Sequence, residues 1–578
     1  MTVEAKQKRL EPDPQELRPR GRRGENPTPR GPRFVFIGVL VVLGLLIGYP
    51  MLWVLVTSFG LPDGFSLDAF TGLFTDDSLL RPLLNTILLG VVCAIGAVVL
   101  GVPLAWYTAA TDGPFRRLVH LAVMATYITP PYLTAIAFTM LLSPQAGYLN
   151  RALAGLGIGA FNIYSLAGLS LVITLHVCSF AYLLVHDALK RIDAPLLEAA
   201  RMLRANPSAV VRRILLPLVA PAITSGALMS GIIAMTEFGP QAILGTPAGL
   251  SFLPTRIVSS LGGYPPRYAD MAVLALILVL FAVLGLYLQR RALRKQSFIT
   301  VAGRGVRPIQ FQLGAWRWPT AAAALLFVLF ATVAPMAVLL SSAFAKNWTA
   351  PVAPSNLTLA NFASAFSDDP ITTQAVLNSA GLAAAAATIC VALALLIAFL
   401  TFRTRIRGRT FPDYLASVPL GLPATVLGFG LLLAVVNPPF QGLYGTMALL
   451  LILYIVRFIP LATRTVNSGA SQISGELEEA ARITGANWWT TARRISIPLL
   501  GPTLAAAWLL VFMPAANELG GTILLYASGT ETISIAIFRL NDLGQFGPVA
   551  ALAVSVIVGM LLVSALAQKL TNPRKRRS

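Results

Sequence analysis

Charged residues are scarce in this sequence. Only 12% of the 578 residues are Asp, Glu, Lys or Arg, while 56% are apolar. Water-soluble globular domains carry about 25% charged residues. Such an apolar chain has too little polar surface to cover a soluble fold, so a water-soluble architecture is excluded. The composition instead predicts an integral membrane protein.

Cysteine and histidine are equally scarce, with three of each. Cys93, Cys178 and Cys390 lie in apolar stretches without the close spacing of a metal site, which favours packing roles. The histidines are scattered and form no H-E-x-x-H motif. No acid, base and nucleophile converge in the sequence as an embedded enzyme would require. We therefore predict no metal site and no enzymatic activity in this chain.

Long apolar runs, in contrast, are abundant. A helix needs about 20 predominantly apolar residues to cross the hydrocarbon core of a bilayer, and twelve runs qualify. They lie near residues 34–59, 82–109, 118–143, 165–188, 216–245, 271–289, 320–345, 376–402, 412–436, 443–466, 499–526 and 547–568. The predicted fold class is an all-α integral membrane protein with twelve transmembrane helices.

The basic residues predict the orientation, because Lys and Arg concentrate in cytoplasmic loops. With the N-terminus inside, 37 of the 44 Lys and Arg residues lie on the cytoplasmic side and six on the other side. Both termini are therefore predicted to be cytoplasmic. The net charge of +20 is spread over these loops and tails, which favours contact with an anionic lipid bilayer over nucleic acid binding. The basic tail 1–33 has no periodicity and is predicted to be disordered.

A repeat divides the chain into two halves. Glu198, Ala199 and Ala200 recur 281 residues later as Glu479, Ala480 and Ala481. Each half contains six predicted spans, so the repeats are parallel and share one orientation in the membrane. We predict a first domain over 34–289, a cytoplasmic linker over 290–318, a second domain over 319–568 and a basic cytoplasmic tail over 569–578.

The repeat extends into the spans themselves. Leu84-Asn85-Thr86 at the head of the second span corresponds to Leu377-Asn378-Ser379 in the other half. The third span of each half contains prolines, which free backbone carbonyls and can kink helices; they are Pro130, Pro131, Pro419 and Pro423. Kinks near a pore and ordinary bundle packing both fit this pattern.

Three charged residues fall inside predicted spans, where charge is costly and usually functional. Glu237 and Glu518 occupy equivalent positions in the fifth span of each half, and Arg457 lies in the tenth span. The two glutamates either line a solute path or bond to neighbouring helices at a turn loosened by glycine. An ion pair between Arg457 and Glu518 would require a kink or a bend.

The loops around the two repeated triplets carry a longer motif. In the second half Glu479, Ala480, Ala481, Gly485, Ile495 and Pro498 follow the pattern E-A-A-x-x-x-G-x9-I-x-L-P, with Ile497 in place of the leucine. In the first half Arg204 stands at the glycine position. This pattern resembles the signature of the membrane permeases of binding-protein-dependent ABC importers, with two permease domains fused in one chain.

The resemblance implies a type I, MetI-like permease fold in a prokaryotic inner or plasma membrane. In that family the E-A-A helix is the coupling helix that docks into a cytosolic ATPase. The expected partners are two copies of a cytosolic ABC ATPase subunit and an extracytoplasmic solute-binding protein. This sequence has no Gly-Lys pair and hence no G-x-x-x-x-G-K-[ST] loop. ATP and Mg are therefore expected on the partner ATPase, with no cofactor in this chain.

The solute is less well determined. Fused twelve-span permeases with E-F-G and E-L-G segments after the coupling loop resemble the ferric-iron permease group, and thiamine, polyamine, phosphonate or sulfate remain alternatives. A secondary transporter of the major facilitator type also has two sets of six parallel spans. Its G-x-x-x-D-R-x-G-R-R-like loop pattern matches residues 112–117 and 403–409 poorly, so the importer is favoured.

Overall fold

The computed structural model describes residues 30–61, 64–192, 202, 206–294, 311–350, 353–368, 370–404, 406–473, 476, 485 and 488–571. Residues 30–294 form the first half and residues 311–571 the second half. The helices of the first half are α1 Arg30–Leu43, α2 Tyr49–Ser58, α3 Asp68–Thr75, α4 Asp77–Ala110, α5 Arg116–Ile128, α6 Pro131–Leu142, α7 Tyr148–Gly155, α8 Leu166–Lys190, α9 Pro207–Val210, α10 Leu216–Thr236, α11 Leu253–Ser260 and α12 Tyr268–Arg294.

The second half repeats most of this order, with a 3-10 turn at Gln441–Leu443 in place of α7 and an additional short helix at Thr522–Leu525. Its helices are α13 Arg317–Val328, α14 Ala334–Ala343, α15 Ala360–Ala363, α16 Pro370–Arg403, α17 Phe411–Ser417, α18 Ala424–Val436, α19 Met447–Gln472, α20 Trp488–Thr491, α21 Ile497–Ala515, α22 Thr522–Leu525, α23 Ile533–Asp542 and α24 Phe546–Thr571. In the described part of the chain, ten helices are long and apolar enough to cross a membrane, and two bent pairs raise the number to twelve if each pair is one span. The predicted all-helical, twelve-span fold is confirmed.

The third span of each half is bent almost to a right angle. Helix α5 meets α6 at 107°, and the segment Phe411–Gly421 meets α18 at 109°. The bends lie at Pro130 and Pro423, whose backbones are extended with ψ of 132° and 147°. Proline removes an N–H donor and pushes the preceding residue away from helical geometry. These prolines therefore break the helix, which is more than the predicted kink.

A widened, π-helical turn precedes a proline in the first and fifth spans of both halves. Proline cannot donate to the carbonyl four residues earlier and its ring clashes with that carbonyl. In all four cases this carbonyl lies in the middle of the π-helical turn, which relieves the clash. The turns are Gly44–Gly48 before Pro50, Val211–Leu215 before Pro217, Leu329–Val333 before Pro335 and Ala492–Ser496 before Pro498.

The fifth spans are shorter than predicted. Helix α10 ends at Thr236 and α21 at Ala515, so continuous helices over 216–245 and 499–526 are not formed. The chain then turns and continues into α11 in the first half and α23 in the second. Glu237 and Glu518 consequently lie in these turns and not within a helix.

The first and sixth spans are exchanged between the halves. One core cluster combines the middle spans of the first half with residues 321–343 and 549–553 of the second. The other combines the middle spans of the second half with residues 39–54 and 271–278 of the first. The hydroxyls of Thr126 and Thr332 lie 3.1 Å apart at one of these exchanged contacts. The proposed domain limits along the chain stay a prediction.

Matching hydrogen bonds support the internal repeat. In the first half the Asn85 side chain donates to the Ser251 carbonyl at 3.0 Å, and the Leu253 N–H donates to the Thr86 hydroxyl at 2.9 Å. The second half contains the same pair of bonds. There Asn378 donates to the Glu531 carbonyl at 2.9 Å, and the Ile533 N–H donates to the Ser379 hydroxyl at 2.8 Å. The repeated sequence thus fixes the second span to the segment that begins α11 or α23.

Candidate functional site

The two predicted coupling loops lie mostly outside the described residues. Glu198, Ala199, Ala200, Arg204, Glu479, Ala480 and Ala481 all belong to segments that the structure does not describe. Gly485 is described: it is exposed, lies in a turn and has a φ of +84°. This left-handed backbone favours glycine and is typical of the residue just after a helix. The coupling role of these residues stays a prediction.

Glu518 is the best-anchored of the three intramembrane charges. One carboxylate oxygen accepts the Gly521 N–H at 3.0 Å, and the other accepts the Thr522 N–H at 2.9 Å and the Thr522 hydroxyl at 2.5 Å. The Glu518 side chain is only 2% exposed. Its carboxylate satisfies free N–H groups at the start of the short helix α22, as acidic side chains do at helix N-termini. Glu518 therefore stabilises the turn that follows the fifth span.

Glu237 occupies the equivalent position but has a different environment. It is half-buried, and its carboxylate has no hydrogen-bond or ion-pair partner among the residues that the structure describes. The charges of Arg457 and Glu518 both act on it electrostatically. Of the two symmetry-related carboxylates, Glu518 is thus bound by its own turn, while Glu237 is not paired within the described residues.

The residues after each glutamate explain this difference. Pro240 stands where the second half has Gly521, and proline has no N–H to donate. Gln241 stands where the second half has Thr522, and its side chain donates to the Ala234 carbonyl at the end of α10, at 2.9 Å. Of the three donors that bind Glu518, the Gly521 N–H and the Thr522 hydroxyl therefore have no counterpart around Glu237.

Arg457 approaches Glu518 from helix α19. Its Nε atom lies 3.6 Å from the Glu518 Oε1 atom, and its side chain is 31% exposed. The contact forms because α21 ends at Ala515 and the chain turns back, which supplies the bend that the sequence argument required. At 3.6 Å the contact is an ion pair without a good hydrogen bond, so the Arg457 guanidinium keeps donor capacity. The three side chains carry a formal charge of −1.

The turns that hold the two glutamates meet where the halves join. A β-carbon on Gly239 would lie 2.6 Å from the Tyr132 Cβ atom and 3.4 Å from Leu519. A β-carbon on Gly520 would lie 3.1 Å from the Ala424 Cβ atom. Glycine is therefore required for the close approach at Gly239. Each turn packs against the first residues of the outer helix of a bent third span, α6 or α18.

Three side chains at this centre were not identified from the sequence. Gln241 and Thr522 decide which glutamate is paired, and an alignment of the two halves at the 281-residue offset would have revealed their difference. Tyr132 is 3% exposed, and its hydroxyl has no hydrogen-bond partner in the described part of the chain. No sequence signal distinguishes Tyr132 from an ordinary core tyrosine.

A small network of ion pairs joins the starts of α4 and α12 in the first half. Arg267 lies 2.8 Å from Asp270 and 3.7 Å from Asp76. Asp76 also accepts the Ser78 N–H at 2.8 Å as the cap of α4. This hydrogen bond, assisted by the charge of Arg267, holds the pKa of Asp76 below its usual value. Within the described residues, no group of three or more His, Cys, Asp and Glu side chains is arranged to hold a metal ion.

Comparison with known families gives two matches in this chain. A family model described as "Binding-protein-dependent transport system inner membrane component" matches residues 97–298 and 391–577. The two matched regions lie one in each half and together cover more than half of the sequence.

Individual relatives cover either most of the chain or about one half of it. The putative ferric transport system permease protein FbpB 1 of Haemophilus influenzae is 25% identical, over 88% of this chain and 80% of that protein. The ferric transport system permease protein FbpB of Actinobacillus pleuropneumoniae is 23% identical, over 92% of this chain and 78% of that protein. The putative 2-aminoethylphosphonate transport system permease protein PhnV of Salmonella paratyphi A is 28% identical, over 44% of this chain and 93% of that protein.

Proposed function

This chain belongs to the family of binding-protein-dependent transport system inner membrane components, and we propose that it forms the ferric-iron pathway of an ATP-driven importer. It is a multi-span permease of that family. The observation that supports iron as the solute is the similarity to ferric transport permeases along nearly the whole chain, through both halves.

The geometry at the centre of the molecule is compatible with a cationic solute. Glu237 offers an unpaired carboxylate, while Glu518 is held by its own turn and Arg457 is partly neutralised by Glu518. A site with a formal charge of −1 attracts cations, and the attraction is strong where water is largely excluded. The ferric ion is cargo in this proposal, so no resident metal site is required.

A phosphonate solute is the second candidate. A half-length relative is named for 2-aminoethylphosphonate, and the exposed part of Arg457 could bind a phosphonate group through charged hydrogen bonds. The amino group of such a zwitterion would then face Glu237. Uptake assays with both solutes distinguish the two candidates.

We further propose that two copies of a cytosolic ABC ATPase dock onto the E-A-A loops, one on each half, and that both termini of the chain are cytoplasmic. ATP and Mg would bind to those subunits. An extracytoplasmic solute-binding protein would deliver the solute to the outer face. The paired loops and the distribution of Lys and Arg along the chain support this arrangement.

Uptake of radiolabelled ferric iron in a strain that lacks this gene is the direct test. We expect uptake to be lost on deletion, to be restored by the wild-type chain and not to be restored by Glu479→Lys, although that variant reaches the membrane. Normal iron uptake after deletion would overturn iron as the solute. Loss of 2-aminoethylphosphonate uptake instead would establish the second candidate.

The role of Glu237 is tested in the same assay. Glu237→Gln removes one charge from the centre but keeps the side-chain shape, and we expect uptake to fall roughly tenfold or more, since the carboxylate charge that attracts the cation is lost. Glu531→Gln, in the outer loop before α23, is the matched control and should transport normally. Unchanged uptake by Glu237→Gln would remove this residue from the solute path.

A further inference from the structure

Tyr182, near the cytoplasmic end of α8, is the centre of a polar cluster in the first half. The His120 Nδ1 atom lies 2.8 Å from the Tyr182 hydroxyl, and the Thr108 hydroxyl lies 2.9 Å from it. The ring of His186 stacks on both aromatic neighbours, at 5.0 Å from His120 and 5.2 Å from Tyr182. The cluster thus ties the inner half of the third span, α5, to α4 and α8.

The hydrogen bonds of this cluster form a continuous chain. Thr108 also lies 2.9 Å from the Leu104 carbonyl, which can only accept. When Thr108 donates to this carbonyl, it accepts from Tyr182, and Tyr182 in turn accepts from the His120 Nδ1–H group. Both hydroxyls in this series of hydrogen bonds then donate and accept, while the buried Nδ1 atom of His186 has no hydrogen-bond partner among the described residues.

The second half has a polar link between the equivalent helices. The Asn467 side chain on α19 donates to the Asp413 carboxylate on α17 at 2.8 Å. Asp413 corresponds to His120 at an offset of 293 residues, which also relates Asn85 to Asn378. Asn467 corresponds to His186 at the offset of 281 residues that relates the E-A-A triplets. The residue types differ, while the pair of helices that they join is the same.

Both links lie directly before the coupling loops. His186 and Asn467 each precede the glutamate of their E-A-A triplet by 12 residues. Helices α8 and α19 end at Lys190 and Gln472, and the loops follow without another span between. A movement of either loop is therefore applied first to the end of the helix that carries the link.

The helices that carry His120 and Asp413, α5 and α17, connect the two links to the centre of the molecule. Helices α5 and α17 are the inner parts of the two bent third spans, and the outer parts α6 and α18 begin with Pro131 and Ala424. Tyr132 on α6 packs against Gly239, and Ala424 packs against Gly520, next to Glu237 and Glu518. A continuous path therefore runs in both halves from the helices that precede the coupling loops, through the bent third spans, to the charged centre.

We propose that the His120–Tyr182–His186 cluster and the Asp413–Asn467 pair are positioning elements that transmit the movement of the coupling loops to the bent third spans. This inference rests on the coupling role proposed for the E-A-A loops. None of the five residues contacts the solute or the ATPase in this assignment. They hold two helices in one register while the bent span moves.

A polar link suits this task better than apolar packing. Apolar side chains slide past one another in a bilayer at little cost, because lipid tails replace the lost contacts. A hydrogen bond between helices has a defined geometry, and a broken one leaves polar groups in an apolar environment. The two helices consequently move as a unit.

The test measures ATP hydrolysed per solute imported by the complete importer in proteoliposomes. Asp413→Leu together with Asn467→Leu removes both partners, so no orphaned polar group is left to destabilise the fold. Tyr182→Phe removes only the central hydroxyl in the first half. We expect both variants to assemble with the ATPase, and their ATP consumption per solute to rise by roughly fivefold or more.

A second set of substitutions then distinguishes a defect in coupling from a loss of stability. His120→Asp, Tyr182→Thr and His186→Asn together copy the link of the second half into the first, and we expect them to keep near-normal coupling. Changing the same three residues to Leu should instead raise the amount of ATP hydrolysed per solute imported. Thr388→Val is the matched control, because it removes a hydrogen bond between spans, from Trp508 at 3.1 Å, at a site outside the proposed link.

The reference variant for the assay is Glu479→Lys. Glu479→Lys is expected to uncouple ATP hydrolysis from uptake. If it does so while the double change of Asp413 and Asn467 to Leu and the triple change to Leu keep the wild-type amount of ATP hydrolysed per solute, the proposed transmission is wrong and the docking role of the loop stands. If Glu479→Lys itself remains coupled, the docking role fails and this inference fails with it.

Discussion

Glu518 accepts three hydrogen bonds from residues within four positions of itself, and Glu237 accepts none from the described residues. The difference arises from two neighbours, since Pro240 and Gln241 replace Gly521 and Thr522. A duplicated sequence can thus assign a structural role to one copy of a residue and leave the other copy free. We infer that solute contact in this permease is asymmetric, with Glu237 as the contacting carboxylate.

The structural role of Glu518 predicts a loss of stability on Glu518→Gln. The amide group that replaces one carboxylate oxygen cannot accept a hydrogen bond, so it faces an N–H donor of the turn. We expect the free energy of unfolding to fall by about 1–3 kcal/mol. The apparent melting temperature of the detergent-purified chain measures this change.

Glu237→Gln is the matched control for that measurement, because no donor of the described residues depends on the Glu237 carboxylate. Its melting temperature should equal that of the wild-type chain or exceed it. Equal melting temperatures for wild type and Glu518→Gln would contradict the anchoring role of Glu518.

At the scale of elements, hydropathy predicts the spans well and their ends poorly. Each of the twelve runs contains a helical segment, because any segment that crosses the hydrocarbon core must satisfy its backbone internally. The breaks after Thr236 and Ala515 were missed, since apolar residues resume at 242–244 and 523–525 and the short polar and glycine-containing segments between were included in one run. Apolarity records burial in lipid or protein and carries no information on whether the backbone remains helical.

The prolines of the third spans likewise predict that the helix is distorted but not how strongly it bends. Their positions in the third spans indicated a distortion, but the angles of 107° and 109° depend on packing of α6 and α18 against turns from the fifth spans. Likewise, charge inside apolar runs identified Glu237, Glu518 and Arg457. The contact between Arg457 and Glu518 depends on a chain reversal that the sequence pattern did not reveal.

The link between the second span and α11 gives a prediction at this scale. Thr86→Val removes the hydroxyl that accepts the Leu253 N–H and leaves this buried donor without a partner. The cost is about 1–3 kcal/mol, so amide hydrogen exchange in peptides covering residues 250–256 should accelerate by roughly tenfold. Thr86→Ser is the control, since Ser379 makes the same bond in the second half. Equal exchange in Thr86→Val and wild type would show that the bond does not hold this segment.

At the scale of the whole molecule, the exchange of spans makes the halves mutually dependent. The first span of each half packs on the bent third span of the other, and the sixth spans join the opposite core clusters. Neither half therefore buries its own middle spans alone. In the proposed importer, movement of one coupling loop would therefore change contacts in both halves, which favours concerted rearrangement of the pathway.

This arrangement predicts that the covalent linker is dispensable for assembly. Two chains covering residues 1–300 and 301–578, expressed together, should form one complex, because the exchanged spans supply the contacts. With Cys93, Cys178 and Cys390 replaced by Ala, Thr126→Cys and Thr332→Cys should form an intermolecular disulfide under mild oxidation, since the two hydroxyls lie 3.1 Å apart. The fragments would then migrate as one band on a non-reducing gel, while either cysteine alone would give two. Co-purification of the fragments without any cross-link would contradict the exchanged position of the seventh span, because that position requires residue 332 of the second fragment to contact residue 126 of the first.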